Sequence, residues 1–376
     1  MIYLDYAANT PADPRVLTRF VQTEQAYIGN ANSTHEAGEE AKRALTEITE
    51  QVKQELRLTA EEVIFTSGAS EAANLAIKGL ARSRRHVGRH IISTPLEHAS
   101  VSGSLTALQE QGYEVDLLSV GRDGKIDIEE LQDLLRPDTI LVAMTAVDSE
   151  LGTMQPVAEV AELVHRYPNG CLFVDAVQAI GKADVPLTAA DMIALAPHKF
   201  YGLNGIGILI KKEGLVIEPL IHGGVSASLY RSGTPTLGLA ASAEEALRLT
   251  MEEDATRRQI VKVHNGRLRS ALAQYSLVRI NSPAEAVDAI LNISVKGVKG
   301  ETFQQALNER GICVSVKSAC SVPGTPSRAV MAVSRDRATA LSSFRISLSH
   351  LTTEAEIEEF LTVFDALYKT LAEKKS

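Results

Sequence analysis

The stretch 171–205, CLFVDAVQAIGKADVPLTAADMIALAPHKFYGLNG, constrains the fold more than any other part of the chain. It reads as two short apolar strands, 171–175 and 192–196, each ending in polar residues that an apolar run has no structural need for. The first ends in Asp175, with Gln178 just beyond it. The second runs into Ala196-Pro197-His198-Lys199 and a glycine-containing loop before another strand. In α/β sheets a ligand sits beyond the carboxyl ends of the strands. Asp175, Gln178, His198 and Lys199 are therefore placed to share one crevice. An acid and a lysine so placed suit a pyridoxal phosphate site: the lysine forms the Schiff base, and the carboxylate keeps the pyridine nitrogen protonated so that the ring can take up electrons. Each residue alone has a plainer reading, Asp175 as a helix cap after a strand and Lys199 as a surface lysine. Against the second stands its position, directly after MIALA in a short polar insert between apolar strands. A Schiff-base lysine must lose its proton for part of the cycle, so its pKa has to fall well below about 10.4. Partial burial and the cofactor's own charge can do this.

The rest of the chain gives this stretch a setting. Its 376 residues exceed what one core usually supports, so two domains are expected. Strands at 63–66, 90–94, 114–120, 139–147 and 206–211 alternate with helices, among them a long one over 35–56 capped by Thr34. Such alternation implies an α/β fold with a mostly parallel sheet and helices on both faces. Near residue 240 the pattern changes. A long charged helix over 241–273 precedes strands at 277–281, 290–295, 312–316 and 344–349, and a helix from Thr352 to about 373. We therefore expect a large cofactor-binding domain over 16–240 and a smaller α+β domain built from 1–15 and 241–376.

Composition narrows the function classes. A net charge of −9 argues against nonspecific nucleic-acid or membrane binding, and no apolar run reaches transmembrane length. The start, MIYLDYAANTPADP, is acidic and turn-rich, unlike a signal peptide. Three Cys without regular spacing make no disulfide framework. A reducing, cytoplasmic setting follows, with any functional Cys a free thiol.

Four further places carry chemistry. Ser67-Gly68-Ala69-Ser70 joins a strand to a helix, where free backbone N–H groups, the helix dipole and the Ser70 hydroxyl suit a phosphate; a plain capped turn looks the same. His98 follows another strand, placed to stack on a flat ring and shuttle protons, or to make a local bond at a helix start. Cys320 lies in KSACSVPGTP, a loop-forming stretch in which an exposed thiol can ionise and attack. Cys171 and Cys313 begin apolar strands and read as packed core thiols. Arg345, on the strand SSFRISLS, suits bidentate capture of a carboxylate, or a salt bridge.

With these residues in place the chain resembles the pyridoxal-phosphate cysteine desulfurases of the class V aminotransferase group. The likeness spans nearly all of it: YLDYAANTP, GNANSTH, FTSGASEAANLAIKG, HIISTPLEH, ILVAM, VDAVQAIGK, HKFYGLNGIG, YRSGTPT, SACS and SSFRISLS, in that order. The resemblance implies a fold-type I architecture with a seven-stranded-type sheet. It implies that Lys199 carries the cofactor, that Asp175 pairs with the pyridine nitrogen, that His98 stacks on the ring and that Gln178 faces its phenolic oxygen. Asp148 stands where that oxygen usually finds a donor. Ala69, Ser70 and His198 take the phosphate, and Thr234 reaches it from the second subunit of a homodimer. Arg345 and Asn32 hold the carboxylate of L-cysteine. Cys320 attacks the substrate sulfur, giving L-alanine and a persulfide that a separate sulfur-acceptor protein collects.

The chain also departs from that family's pattern. Val147-Asp148-Ser149-Glu150-Leu151-Gly152 replaces Val-Asn-Asn-Glu-Ile-Gly, and an ionised Asp148 has no proton to donate. Asp148 is therefore expected either to be protonated or to turn away. Ala196 replaces a serine, removing a phosphate hydrogen bond worth on the order of 1.5–3 kcal/mol. GGVSASLY lacks the usual Gln-Glu or His-Glu, and Ala31-Asn32 stands for Pro-Ser. These changes bear on cofactor affinity and rate more than on reaction type. Two other readings stay open: a related aminotransferase or lyase, which needs no Cys320, and a non-catalytic paralogue acting as a binding subunit.

Overall fold

A computed structural model describes residues 1–224, 226, 228–317 and 324–373. Its centre is a seven-stranded sheet. In spatial order the strands are Glu61–Thr66, Gly207–Lys212, Met192–Leu195, Leu172–Asp175, Thr139–Thr145, His90–Ser93 and Glu114–Leu117. The five strands from Met192–Leu195 to Glu114–Leu117 run parallel. Gly207–Lys212 is antiparallel to both its neighbours. The cause is local: residues 196–206 are taken up by a 3₁₀ turn at Pro197–Lys199 and a loop, leaving no crossover helix to return the chain in parallel.

The middle strands are buried on both faces, which is why they read as unbroken apolar runs. Alternate side chains enter two separate cores. Leu172, Val174, Ile193 and Leu195 pack with the helix Glu36–Glu55 and the first half of the helix Leu237–Leu272. Phe173, Met192 and Ala194 pack with the helices Ala69–Ser83 and Ala99–Gln109. The helix over 35–56 starts one residue later than its expected Thr34 cap, because the His35 ring accepts from the Gly38 N–H at 3.2 Å.

A three-stranded antiparallel sheet, with Ile290–Val295 between Val278–Ile280 and Ser343–Ser347, organises a third apolar cluster. Phe303, Phe344, Phe360 and Phe364 fill it together with Ile2 and Leu4. The N-terminal strand Ile2–Tyr3 pairs in parallel with Ile312–Cys313, so the first residues of the chain lie against its last third. The helix Leu237–Leu272 joins the two units, contributing Ala240 and Leu247 to one core and Val261 and Leu268 to the other. Thr353 and Glu356 form a capping box at the start of the C-terminal helix Glu354–Leu371.

Some expectations change. The strand over 312–316 is only Ile312–Cys313, followed by an isolated bridge from Ser315 to Arg345. Cys313 is half-buried, not core; Cys171 is buried. Short helices at Arg328–Ser334 and Arg337–Leu341 fill a region that carried no assignment. No helix among the described residues is long and apolar enough to cross a membrane.

Candidate active site

The crevice opens at the carboxyl ends of the parallel strands, as their register requires. Asp175 ends its strand opposite Ala194 of the neighbouring one. Three residues beyond Ala194, Pro197 starts the 3₁₀ turn that carries His198 and Lys199. Acid and amine therefore come from adjacent strand ends. The Lys199 amine donates to the carbonyls of Ala7 at 3.0 Å and Ala8 at 2.5 Å. Gln178 Nε2 donates to the same Ala7 carbonyl at 2.8 Å. The N-terminal segment thus forms one wall, itself fixed by the Ala7 N–H on Ser347 Oγ at 2.9 Å.

Burial sets the electrostatics. The Asp175 carboxylate accepts the Val177 N–H at 3.0 Å, and burial pushes its pKa up, against the pull of that bond and of His98 and Lys199. Burial pushes His98 down, with Lys199 adding to the effect and Asp175 opposing it. Burial, then the charges of Lys199 and Lys182, hold His198 down at about 4. Both rings are neutral at physiological pH. His98 also begins the helix Ala99–Gln109, its Nδ1 meeting the Ser100 hydroxyl at 2.8 Å. The local bond at a helix start is therefore present, and the residue also lines the crevice.

Opposite the lysine, the helix Ala69–Ser83 begins with no side-chain cap. Its first N–H groups face the crevice as a ready anion cradle. Gly207 makes this possible: a Cβ there would meet the Gly68 carbonyl carbon at 2.3 Å, so only glycine lets the strand pass behind the cradle. Arg231 donates to Glu71 at 2.6 Å and Glu71 accepts the Ser67 N–H at 2.8 Å, bracing the turn. Arg345 is 3% exposed. It donates to Ser149 O at 2.7 Å and Asp5 Oδ1 at 2.9 Å, while its Nε is buried with no partner among the described residues.

One cavity of about 380 Å³ collects Ala69, Ser70, His98, Asp175, Gln178, His198, Lys199 and Arg345. That volume lies in the usual range for a cofactor site. Asp148 is not among its lining residues, although its neighbours Val147 and Ser149 are. It is 1% exposed, and its Oδ1 accepts the N–H groups of Glu150 and Leu151 to close its own turn. Burial, then Glu150, raises its pKa to about 7. Asn32 and Thr234 also lie elsewhere. Asn32 Nδ2 donates to Gly233 O at 3.4 Å, and Thr234 lines a separate cavity with Arg231 and Phe65. Cys320 lies outside the described residues. On either side of it, Lys317 donates to Thr325 O at 2.7 Å and the Gly324 N–H donates to Glu301 at 2.6 Å.

Sequence reasoning missed the backbone carbonyls of Ala7 and Ala8, which no side-chain pattern reveals. It also passed over two charged groups inside motifs it had quoted. Glu97, beside His98, is buried with its pKa raised to about 8 by burial first, then by Asp175 and Asp148. Lys182, in VQAIGK, has its amine enclosed behind Lys199. An acid or a lysine set inside an apolar turn was the available signal.

The residues present fit pyridoxal phosphate. An uncapped helix start suits its phosphate, a buried acid its ring nitrogen and an amine its aldehyde. Gln178 Oε1, buried without a partner among the described residues, faces a site that still lacks a polar group.

Fold and crevice together define an α/β enzyme that sets a lysine and a buried acid across one pocket at the sheet's carboxyl edge. The family described as aminotransferase class-V matches residues 2–360, and the chain belongs to it. A NifS/IcsS protein homolog of Lactobacillus delbrueckii subsp. bulgaricus is 36% identical over 98% of this chain and 97% of its own length. Cysteine desulfurase IscS of Glaesserella parasuis serovar 5 is 37% identical over 96% of this chain and 91% of its own. Among solved structures, one titled NIFS-like protein superposes with a TM-score of 0.91 at 32% identity, covering 98% of this chain and 100% of that one.

Proposed function

We propose that this protein is a cysteine desulfurase that uses pyridoxal phosphate, moving the sulfur of L-cysteine to Cys320 and releasing L-alanine. The observation that carries the reading is the convergence of Lys199, Asp175, His98 and Arg345 on one cavity, in a chain of this family. The cofactor, when bound, supplies an electron sink for the substrate's α-carbon.

Lys199 is the residue to hold the cofactor covalently, since its amine enters the cavity from the strand end. Asp175 holds the proton at the ring nitrogen. The low proton affinity of His98 leaves it a neutral, flat surface for the ring and a base for proton transfer. The N–H groups that open the helix Ala69–Ser83, with the Ser70 hydroxyl, take the phosphate. The guanidinium of Arg345, held in place by Ser149 and Asp5, receives the substrate carboxylate. Cys320 supplies the thiolate that accepts the sulfur and passes it, as a persulfide, to an acceptor protein. A reducing, cytoplasmic compartment suits such a thiol.

The purified protein, given L-cysteine, is expected to form alanine and a Cys320 persulfide, and Cys320→Ala to lose both. Equal sulfide release by the two proteins would refute the nucleophile. Pyruvate, or amino transfer to a keto acid, would point instead to a lyase or an aminotransferase.

The active unit in this reading is a homodimer. Ile28 is 97% and Leu229 83% exposed, close in the chain to the patch where Asn32 donates to Gly233 O and Asn30 to Thr234 Oγ1. A second copy laid on this face covers both apolar side chains and brings its Thr234 toward the phosphate end. Sedimentation equilibrium is expected to give twice the chain mass of 40.5 kDa; a monomer at micromolar concentration excludes the shared site.

A further inference from the structure

The turn that carries Lys199 uses its own N–H groups internally. Those of Lys199 and Phe200 bond to Ala196 O and Pro197 O at 3.0 and 2.9 Å. This leaves three consecutive carbonyls, those of His198, Lys199 and Phe200, without partners in the turn. A buried carbonyl needs a donor, and each finds one from a different part of the chain. Thr10 Oγ1 donates to His198 O at 2.9 Å, from the N-terminal segment. Thr250 Oγ1 donates to Phe200 O at 3.2 Å, from the helix Leu237–Leu272. The middle carbonyl, that of Lys199 itself, accepts from Lys182 Nζ at 3.0 Å.

Lys182 reaches it through a second cavity of about 140 Å³, on the side of Lys199 away from the crevice. Lys199, Tyr201, Arg257, Asp288 and His350 also line this cavity. The approach depends on Gly181, which has φ +68° and sits so close to Thr250 that a Cβ would lie 2.5 Å from its Cγ2. One short segment after the strand Leu172–Asp175 thus surrounds the lysine. It supplies Asp175 to the crevice, Gln178 to the Ala7 carbonyl shared with the Lys199 amine, and Lys182 to the backbone behind.

We propose that Lys182 is a positioning residue for Lys199: its nitrogen clamps the Lys199 carbonyl from behind and so fixes the turn that aims the Lys199 amine into the crevice. The other cations of the second cavity are engaged elsewhere, Arg257 with Glu253 and Arg258 with Asp184 and Asp254. Lys182 makes no ion pair among the described residues; its nitrogen donates to the Lys199 carbonyl. Burial, then the like charges of Lys199 and Arg345, bring its pKa down to about 7. Both of its protonation forms keep an N–H to give, so the clamp persists across the neutral range.

This inference rests on the proposed role of Lys199, and the test separates the two. Lys182→Met keeps the apolar stem and removes the donor; Lys182→Arg restores a donor. In the cofactor-free protein, the rate at which acetic anhydride labels Lys199, read by peptide mass spectrometry, is expected to rise in the Met variant as the amine loosens from the Ala7 and Ala8 carbonyls. The Arg variant should return toward wild type. In the loaded enzyme the Met variant should lose about five- to tenfold in kcat, the scale of one net hydrogen bond, with KM for L-cysteine unchanged. Urea midpoints of all three proteins show whether they fold. Unchanged Lys199 labelling in a folded Met variant overturns the clamp, whatever the activity. Loss in both Met and Arg variants reduces Lys182 to a packing role and overturns it as well. Altered labelling without any desulfurase activity in wild type leaves the clamp standing and removes the proposed function.

Discussion

Asp175→Asn is expected to lower kcat for alanine formation by about 10²–10⁴-fold while leaving the cofactor-free fold as stable as before, or more so. Asparagine matches aspartate in shape and keeps an oxygen for the Val177 N–H, now 3.0 Å away. What it removes is charge. Without the cofactor the Asp175 carboxylate is a burden, because burial raises its pKa and the partial compensation from His98 and Lys199 does not cancel the rise. In the proposed function a protonated ring nitrogen is the partner that makes a buried carboxylate there worthwhile. Breaking such a buried pair costs about 3–5 kcal/mol, which is the fold-change stated above. The two signs distinguish a functional acid from a structural one: a helix-capping aspartate would lose stability on replacement and leave kcat nearly alone. Steady-state alanine assays, with urea unfolding of the cofactor-free protein, supply both numbers. A variant within tenfold of wild-type kcat removes Asp175 from the ring nitrogen.

The crevice was legible in the sequence because strand ends announce themselves. Asp175 and Lys199 stand out where apolar runs stop, and a parallel sheet brings such ends together by its topology. The antiparallel return of Gly207–Lys212 was legible in principle from the short link before it, yet the alternation of elements alone does not state direction. Asp148 was named by resemblance alone. Its carboxylate is satisfied by two N–H groups of its own turn, a local bond that competes with any outward role for aspartate. Asn32 and Thr234 were placed by resemblance and do not line the crevice; Asn32 donates to Gly233 O, and Asn30 to Thr234 Oγ1. The contacts that no pattern revealed are mostly backbone ones, above all the Ala7 and Ala8 carbonyls that hold the Lys199 amine. Every residue has a carbonyl, so composition gives no hint of which is used.

Glu97→Gln is expected to stabilise the cofactor-free protein at pH 8 and to do so far less at pH 5, close to the foot of the titration window. Glu97 is 3% exposed. Its Oε1 accepts the Thr94 hydroxyl at 2.7 Å and the Thr145 N–H at 2.9 Å, while Oε2 is buried with no partner among the described residues. Burial, helped by the nearby charges of Asp175 and Asp148, lifts its pKa from 4.5 to about 8. Below the lower value the carboxyl is protonated in the folded and the unfolded chain alike, and pH has no effect through it. Between the two values the unfolded chain releases a proton that the folded chain retains, so stability falls as pH rises. Above about 8 the folded group ionises too, and the loss is complete. The slope inside this window approaches about 1.4 kcal/mol per pH unit, for a total of a few kcal/mol. Glutamine keeps the oxygen that Thr94 and Thr145 use and has no proton to lose, so the variant's curve should stay flat where the wild type declines. Asp148 titrates in an overlapping range in both proteins, and the difference between the curves isolates Glu97. Urea midpoints at pH 5, 6, 7 and 8 give the comparison. If the two proteins fall in parallel from pH 5 to pH 8, Glu97 is ionised in the fold, and the carboxylates of Glu97 and Asp175 share that side of the crevice with compensation yet to be found.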